Sequence, residues 1–449
     1  MRWKALIAMI CCALLAGCAG IAGTGAGKEV AGYDRPVNII DTQYLHQMDR
    51  TLVQDQALSE YIQGIRRRLE AAHGEPCDCV VLVDSFSGYE AYTISPKTIV
   101  VSSGVIAQAG SEDELAAIIA HELGHVYSWD TFKGMFQDSS VFAVKAAGWA
   151  LGEGGYTAML DDYIDDISKG LVYSRWNVAQ ESEADVFALR TLAKAGYSID
   201  GLKMGVRKLA EYGSKALPPP QPDTGCSTLI KQLNDQNLKA CSKQLTGANT
   251  SIYQDRDTRL KAIQLAAKDL EPAQRRLAQG KAPPRFAPVT YLFDMNTLVS
   301  NNRGKLSRAL ASLERKPIPP SLRGNVAVTN RLAMAHRILG NRAKADGYLR
   351  QSFDSPNRTI WTFSEYYRYL NDMGDVAAIR QAINEAHTEV GPTQALLPME
   401  MYLAKRHKIF ELNLFALARC TISVVGDVGT YNLCAAFEQK AQSGGKAPW

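Results

Sequence analysis

The sequence predicts an α+β fold, mainly helical, in two parts. A domain over residues 36–285 sets a small edge sheet among strong helices, and an all-α domain of helical repeats follows over 286–449. Three observations predict this. Residues 111–130, SEDELAAIIAHELGHVYSWD, repeat apolar side chains at helical spacing. Short β-branched runs stand just before them. Beyond residue 285, Gly340 and Gly374 lie 34 residues apart, the period of tetratricopeptide-type helix pairs, with a third unit in phase at Lys408. A chain of 449 residues can bury the cores of two domains. Hydrophobic residues at 46% and charged residues at 21% describe a globular protein, and a net charge of +4 is too small to argue for nucleic acid.

The elements follow in chain order. Arg2 and Lys4 precede an apolar run, Ala5 to Leu15, that ends in Leu15-Ala16-Gly17-Cys18. This is a secretory signal with small residues before the cut, too short to span a bilayer. It resembles a bacterial lipobox, which implies that Cys18 becomes the acylated N-terminus. Ala19 after the cysteine resembles lipoproteins sent to the outer membrane, so a lipid-anchored periplasmic protein of a Gram-negative bacterium is expected. Residues 19–35 read as a flexible tether. Over 40–73, Leu45, Met48, Leu52, Leu58, Ile62, Ile65 and Leu69 recur at helical spacing. Residues 79–83 and 98–101 are strands, and Glu90, Ala91, Tyr92 and Thr93 form a third near the sheet edge.

The helix at 111–130 opens with Ser111 and Glu114, a capping box. It carries His121, Glu122 and His125, an H-E-x-x-H pattern. Imidazoles four residues apart leave one helix face and can share a metal ion. Glu122, one step around, can act as a general base beside it. Two histidines leave a catalytic metal short of a protein ligand. The best downstream donor is Glu181, on a helix that runs from Asn177 to a C-cap at Gly196. Residues 131–172 are a loop and helix expected to shape a cleft, 216–226 a surface loop, 227–250 a polar insertion, and 258–270 a helix.

In a secreted chain an even set of cysteines suggests disulfides. Cys226 with Cys241 and Cys420 with Cys434 are the local pairs. Cys77 and Cys79 fit poorly, because alternate strand positions point to opposite faces. A zinc–cysteine site is the rival reading, although no pair has C-x-x-C spacing.

HELGH followed by E-x-x-A-D resembles the zinc metallopeptidase family of the CAAX prenyl protease and the heat-shock membrane protease. The periplasmic branch, with its β-barrel assembly-enhancing proteases, couples such a domain to C-terminal tetratricopeptide repeats. The likeness spans about residues 77–265, including Val100-Val101-Ser102-Ser103-Gly104 and Asp113-Glu114-Leu115-Ala116. It implies a zincin-type, gluzincin domain with one Zn²⁺ per chain, held by His121, His125 and Glu181, with Glu122 as base. Asp185 then matches the carboxylate that holds a ligand imidazole in its tautomer. The Glu90-Ala91-Tyr92 run matches the edge strand on which a peptide substrate adds. Two positions depart from the pattern. Val178 stands where relatives often carry Arg, with Arg175 further upstream, and Tyr253 stands where they carry His, six residues before the matching Arg259. Tyr253 and Arg259 are therefore candidates for the cleft or transition state.

The expected function is a lipid-anchored periplasmic zinc metalloendopeptidase that cleaves envelope or outer-membrane proteins in quality control. Its partners would be protein or peptide substrates, an outer-membrane assembly partner held by the repeats, and the membrane at its lipid. The alternative is a chaperone or assembly factor working through its repeats, with latent or rare proteolysis.

Overall fold

The computed structural model describes residues 27–128, 178–216, 256–298, 302–426, 428–445 and 447. The lipobox with Cys18, the 131–172 connection, Arg175, the surface loop from residue 217 on with Cys226, the 227–250 insertion with Cys241, and Tyr253 lie outside them.

The last part of the expected tether is paired. Strand β1 (Gly27–Lys28) lies antiparallel to β2 (Val37–Asn38). Asp34 accepts from the buried Arg66 at 2.6 Å, and the Tyr33 hydroxyl accepts from the Val83 amide. The segment expected as one helix over 40–73 divides into α1 (Ile39–Gln47) and α2 (Gln56–His73). Asp49 stands between them at φ 52°, and Leu52 then bridges Asp84 while the Val53 amide donates to Val83 O. The apolar spacing runs through the break because Leu52 and Leu58 are both buried, although only Leu58 is helical. Asp55 caps α2 by accepting from the Leu58 amide, and Gly74 at φ 96° ends it.

A three-stranded sheet follows in the order β3 (Val80–Asp84), β5 (Thr98–Ser102), β4 (Ala91–Ser95). β3 is parallel to β5, and β4 runs antiparallel to it at the edge. Alternation sorts the side chains into two faces. Val81, Val83, Ala91, Ile99 and Val101 join the main core, while Val80, Leu82, Tyr92, Ile94 and Val100 pack with Leu45 and Met48 of α1. Each fully buried aliphatic side chain contributes roughly 1.5–3 kcal/mol, so two covered faces hold this short sheet.

After α3 (Ser103–Gln108) comes α4 (Glu112–Tyr127), whose stripe of Leu115, Ile118, Ile119 and Leu123 is wholly buried. Ser111 accepts from the Glu114 amide as expected, but the Glu114 carboxylate accepts from the Gly110 amide rather than completing the box. Lys208 and the Tyr89 hydroxyl draw it away from the helix end. Against α4 lie α5 (Val178–Ala195) and α6 (Asp200–Ala216), and α7 (Arg256–Ala266) crosses α5 and α6.

Toward the C-terminus, α8 (Ala287–Asp294) and α9 (Arg303–Leu313) lead into paired helices. These are α10 (Val326–Leu339) with α11 (Arg342–Phe353), α12 (Ile360–Met373) with α13 (Val376–Glu389), and α14 (Leu397–Arg406) with α15 (Phe410–Gly426). A last helix, α16 (Val428–Gln442), packs on the third pair. The turns centre on Gly340 (φ 84°), Gly374 (φ 73°) and Lys408 (φ 56°), all left-handed and 34 residues apart. Left-handed backbone favours glycine, and Lys408 adopts it without one. The cores do not divide at residue 285. The core around α4 continues through Val289, Leu310 and Leu332 to Ala335, and a second begins at Ile360.

Candidate metal centre

The site begins with the register of two helices. His121 and His125 are one turn apart on α4, and their Nε2 atoms stand 3.2 Å apart. On α5, residues 181 and 185 fall within about 40° on the helix wheel, whereas 183 points away. Glu181 and Asp185 are accordingly buried, and Glu183 is exposed. Glu181 sets one oxygen 3.4 Å from His121 Nε2 and the other 3.4 Å from His125 Nε2.

These three residues form a group able to hold a metal ion. Tetrahedral coordination with bonds of about 2.0–2.1 Å separates neighbouring donors by about 3.3 Å, and the observed spacings match it. The donor set, two imidazoles and one carboxylate, also suits a divalent cation with a position left for water. A second buried group, Glu70 with Cys77 and Cys79, lies apart from it. There the two sulfurs are joined as a disulfide. The difficulty raised by strand alternation falls away because both cysteines precede β3, which starts at Val80.

How the helices come so close is visible in two small residues. A Cβ added at Gly124 would stand 3.1 Å from Ala184 Cα and 3.2 Å from the Phe187 ring. The glycine of HELGH and the alanine of ESEAD thus form the crossing point, and larger side chains there would part the ligands. Helical periodicity alone does not mark either residue. Each motif sets its small residue directly before a site residue, Gly124 before His125 and Ala184 before Asp185.

Asp185 Oδ1 lies 3.0 Å from His121 Nδ1, the nitrogen turned away from Glu181. With a metal bound at Nε2, a carboxylate so placed would hold the tautomer that leaves that nitrogen to the metal. Arg259, from α7, donates to both oxygens of Asp185 at 2.7 Å and sets Nη1 2.9 Å from Glu181 Oε2. It is buried and faces the two acids, so its observed partners are protein carboxylates. Burial by itself would lower the His121 imidazole, but hydrogen bonds and charge from Asp185 and Glu181 outweigh it and hold the group up at about 10. Burial likewise acts to raise the Glu181 carboxyl, and the Arg259 charge with the two imidazoles overrides it, holding that carboxyl well below its usual range.

Glu122 is buried beside the histidines and accepts a hydrogen bond from the Thr93 hydroxyl at 2.9 Å. Thr93 belongs to the edge strand β4, which therefore runs along the α4 helix beside the site. Of the proposed substrate strand, Glu90 and Tyr92 are buried against Arg50, at 2.6 Å and 3.2 Å. Their side chains anchor β4, which is an edge strand of the sheet among the described residues. Farther off, Cys420 and Cys434 are joined, with a sulfur separation of 2.02 Å, between α15 and α16.

Residues 54–217 match the family described as peptidase family M48. A relative from Vibrio cholerae named as a beta-barrel assembly-enhancing protease is 29% identical over 184 residues, 38% of this chain and 37% of its own. Metalloprotease LoiP of Escherichia coli is 28% identical over 218 residues, 46% of this chain and 84% of its own. Metalloprotease YcaL of Escherichia coli is 26% identical over 192 residues, 42% of this chain and 74% of its own. The chain thus spans little more than a third of the Vibrio relative and most of the two Escherichia ones.

Proposed function

Because residues 54–217 form a domain of peptidase family M48, we propose that the protein is a zinc metalloendopeptidase of the bacterial envelope. The observation that carries this is the convergence of His121, His125 and Glu181 at tetrahedral donor spacing beside a buried Glu122. Zinc, when bound there, supplies Lewis-acid polarisation of the scissile carbonyl and acidifies a water. Glu122 takes the proton of the attacking water and delivers it to the leaving amine nitrogen. Asp185 and Arg259 hold His121 and Glu181 in place. The backbone edge of β4 aligns the peptide as an added strand.

The lipobox at Cys18 supports a lipid anchor, and the name of the Vibrio relative supports a role near outer-membrane assembly. No described helix is long and apolar enough to cross a membrane. The paired helices line a cavity of about 860 Å³ with Arg350, Phe353, Tyr369, Tyr402 and Arg406 on its walls. That cavity favours tetratricopeptide-like capture of a protein segment, and it also suits the second reading, an assembly factor in which cleavage is rare.

The test is cleavage of unfolded casein by the purified chain, with metal analysis. One equivalent of zinc, activity abolished by a chelator, and a Glu122→Gln variant that keeps zinc but does not cleave are expected. Cleavage by that variant at the wild-type rate would overturn the proposal. For the anchor, mass spectrometry of the mature N-terminus should find acylated Cys18, and Cys18→Ser should remain unlipidated.

A further inference from the structure

We propose that Thr93 is a positioning residue for the base, holding the Glu122 carboxylate by one oxygen so that the other faces the attacking water. The inference rests on the reading of Glu122 as general base. Strand alternation sends Tyr92 and Ile94 to the α1 side of the sheet and Thr93 to the α4 side. There its hydroxyl lies 2.9 Å from Glu122 Oε2 and 3.2 Å from Glu122 O. The shorter contact is to the side-chain carboxyl rather than to the backbone carbonyl. Thr93 is wholly buried, so water does not replace its hydroxyl as donor. The register of β4 on β5 slips between Thr93 and Ser95. Such irregularities re-aim side chains beside active sites. The residue that steadies the carboxylate therefore lies on the strand proposed to receive the substrate, which couples peptide docking to the aim of the base.

The experiment compares Thr93→Val, Thr93→Ser and Glu122→Gln in the full-length protein, reading casein kinetics, zinc retention against a chelator, and thermal melting. Valine keeps the β-branched shape and removes the hydroxyl, whereas serine keeps the hydroxyl. Thr93→Val should lower kcat roughly 10- to 100-fold, as misplaced catalytic groups do, with KM, zinc retention and melting near wild type. Thr93→Ser should restore most of kcat. A wild-type kcat in Thr93→Val, or an equal loss in Thr93→Ser, would overturn the inference. If Thr93→Val does not fold, Thr93→Ala carries the same expectation and the same contrary outcome. An active Glu122→Gln instead removes the base reading itself, so the two failures are distinguishable.

Discussion

Arg259 grips Asp185 through two hydrogen bonds of 2.7 Å, while its third nitrogen reaches Glu181. One guanidinium thus neutralises two acids that burial would otherwise make costly. Arg259→Met should destabilise the metal-free protein by about 3–5 kcal/mol, as removal of one partner from a buried ion pair does. Added zinc should recover part of this, because a ligand that binds only the folded state stabilises it. Urea denaturation with and without zinc measures both; unchanged stability would show that the clamp adds nothing.

The helical register of ESEAD separates its three acids. Glu181→Gln should sharply weaken zinc retention and abolish cleavage. Asp185→Asn should cost roughly 10- to 100-fold in affinity or activity. Glu183→Gln should leave both near wild type, since that side chain is exposed. Chelator competition on the three variants decides the matter, and zinc content that tracked Glu183 would contradict the site.

Gly124→Ala sets two effects against each other. Alanine gains about 1 kcal/mol in helix propensity over glycine. Overpacking against Ala184 costs about 1–3 kcal/mol. The expected balance is a small loss of stability with a clear loss of zinc affinity, because α5 must move and Glu181 moves with it. A variant that melts higher and keeps zinc as tightly would refute the close-crossing account.

His46 reports on the seam between α1 and the C-terminal helices. Its Nδ1 donates to Glu389 O at 3.1 Å, beside Gln43 on Thr388 O and Gln47 on Val390 O. Burial lowers the imidazole to about 4 from its usual 6.5. A depressed folded value means the unfolded chain binds the extra proton first. This contribution is complete above pH 6.5 and is lost as pH falls toward 4, by up to roughly 3 kcal/mol. Comparing wild type with His46→Gln by urea denaturation at several pH values isolates it. The variant should lose less stability across that window, and parallel curves would count against the assignment.

The Cys420–Cys434 bridge joins α15 to α16 across 14 residues. Cys434→Ser should cost about 3 kcal/mol on the chain-entropy account, and non-reducing peptide mapping should recover the linked pair from wild type. Two free thiols in that map would exclude the bond.

The candidate donor set was legible in the sequence through helix periodicity and the family resemblance together. Four residues make a turn, so His121 with His125 and Glu181 with Asp185 share faces whatever surrounds them. The same holds for the 34-residue step of the C-terminal turns, and for the short β-branched strands. What the sequence could not decide depends on contacts between segments distant in the chain. The break in the 40–73 helix follows from Asp49, whose carboxylate meets Asn330 and Thr359, and from Val53 pairing with Val83. Arg259 and Thr93 reach their acids only once α7 and β4 are packed on α5 and α4. The core runs past residue 285 because α8 and α10 pack onto the first domain. Local spacing determines which side chains leave a helix together; tertiary packing alone determines what they meet.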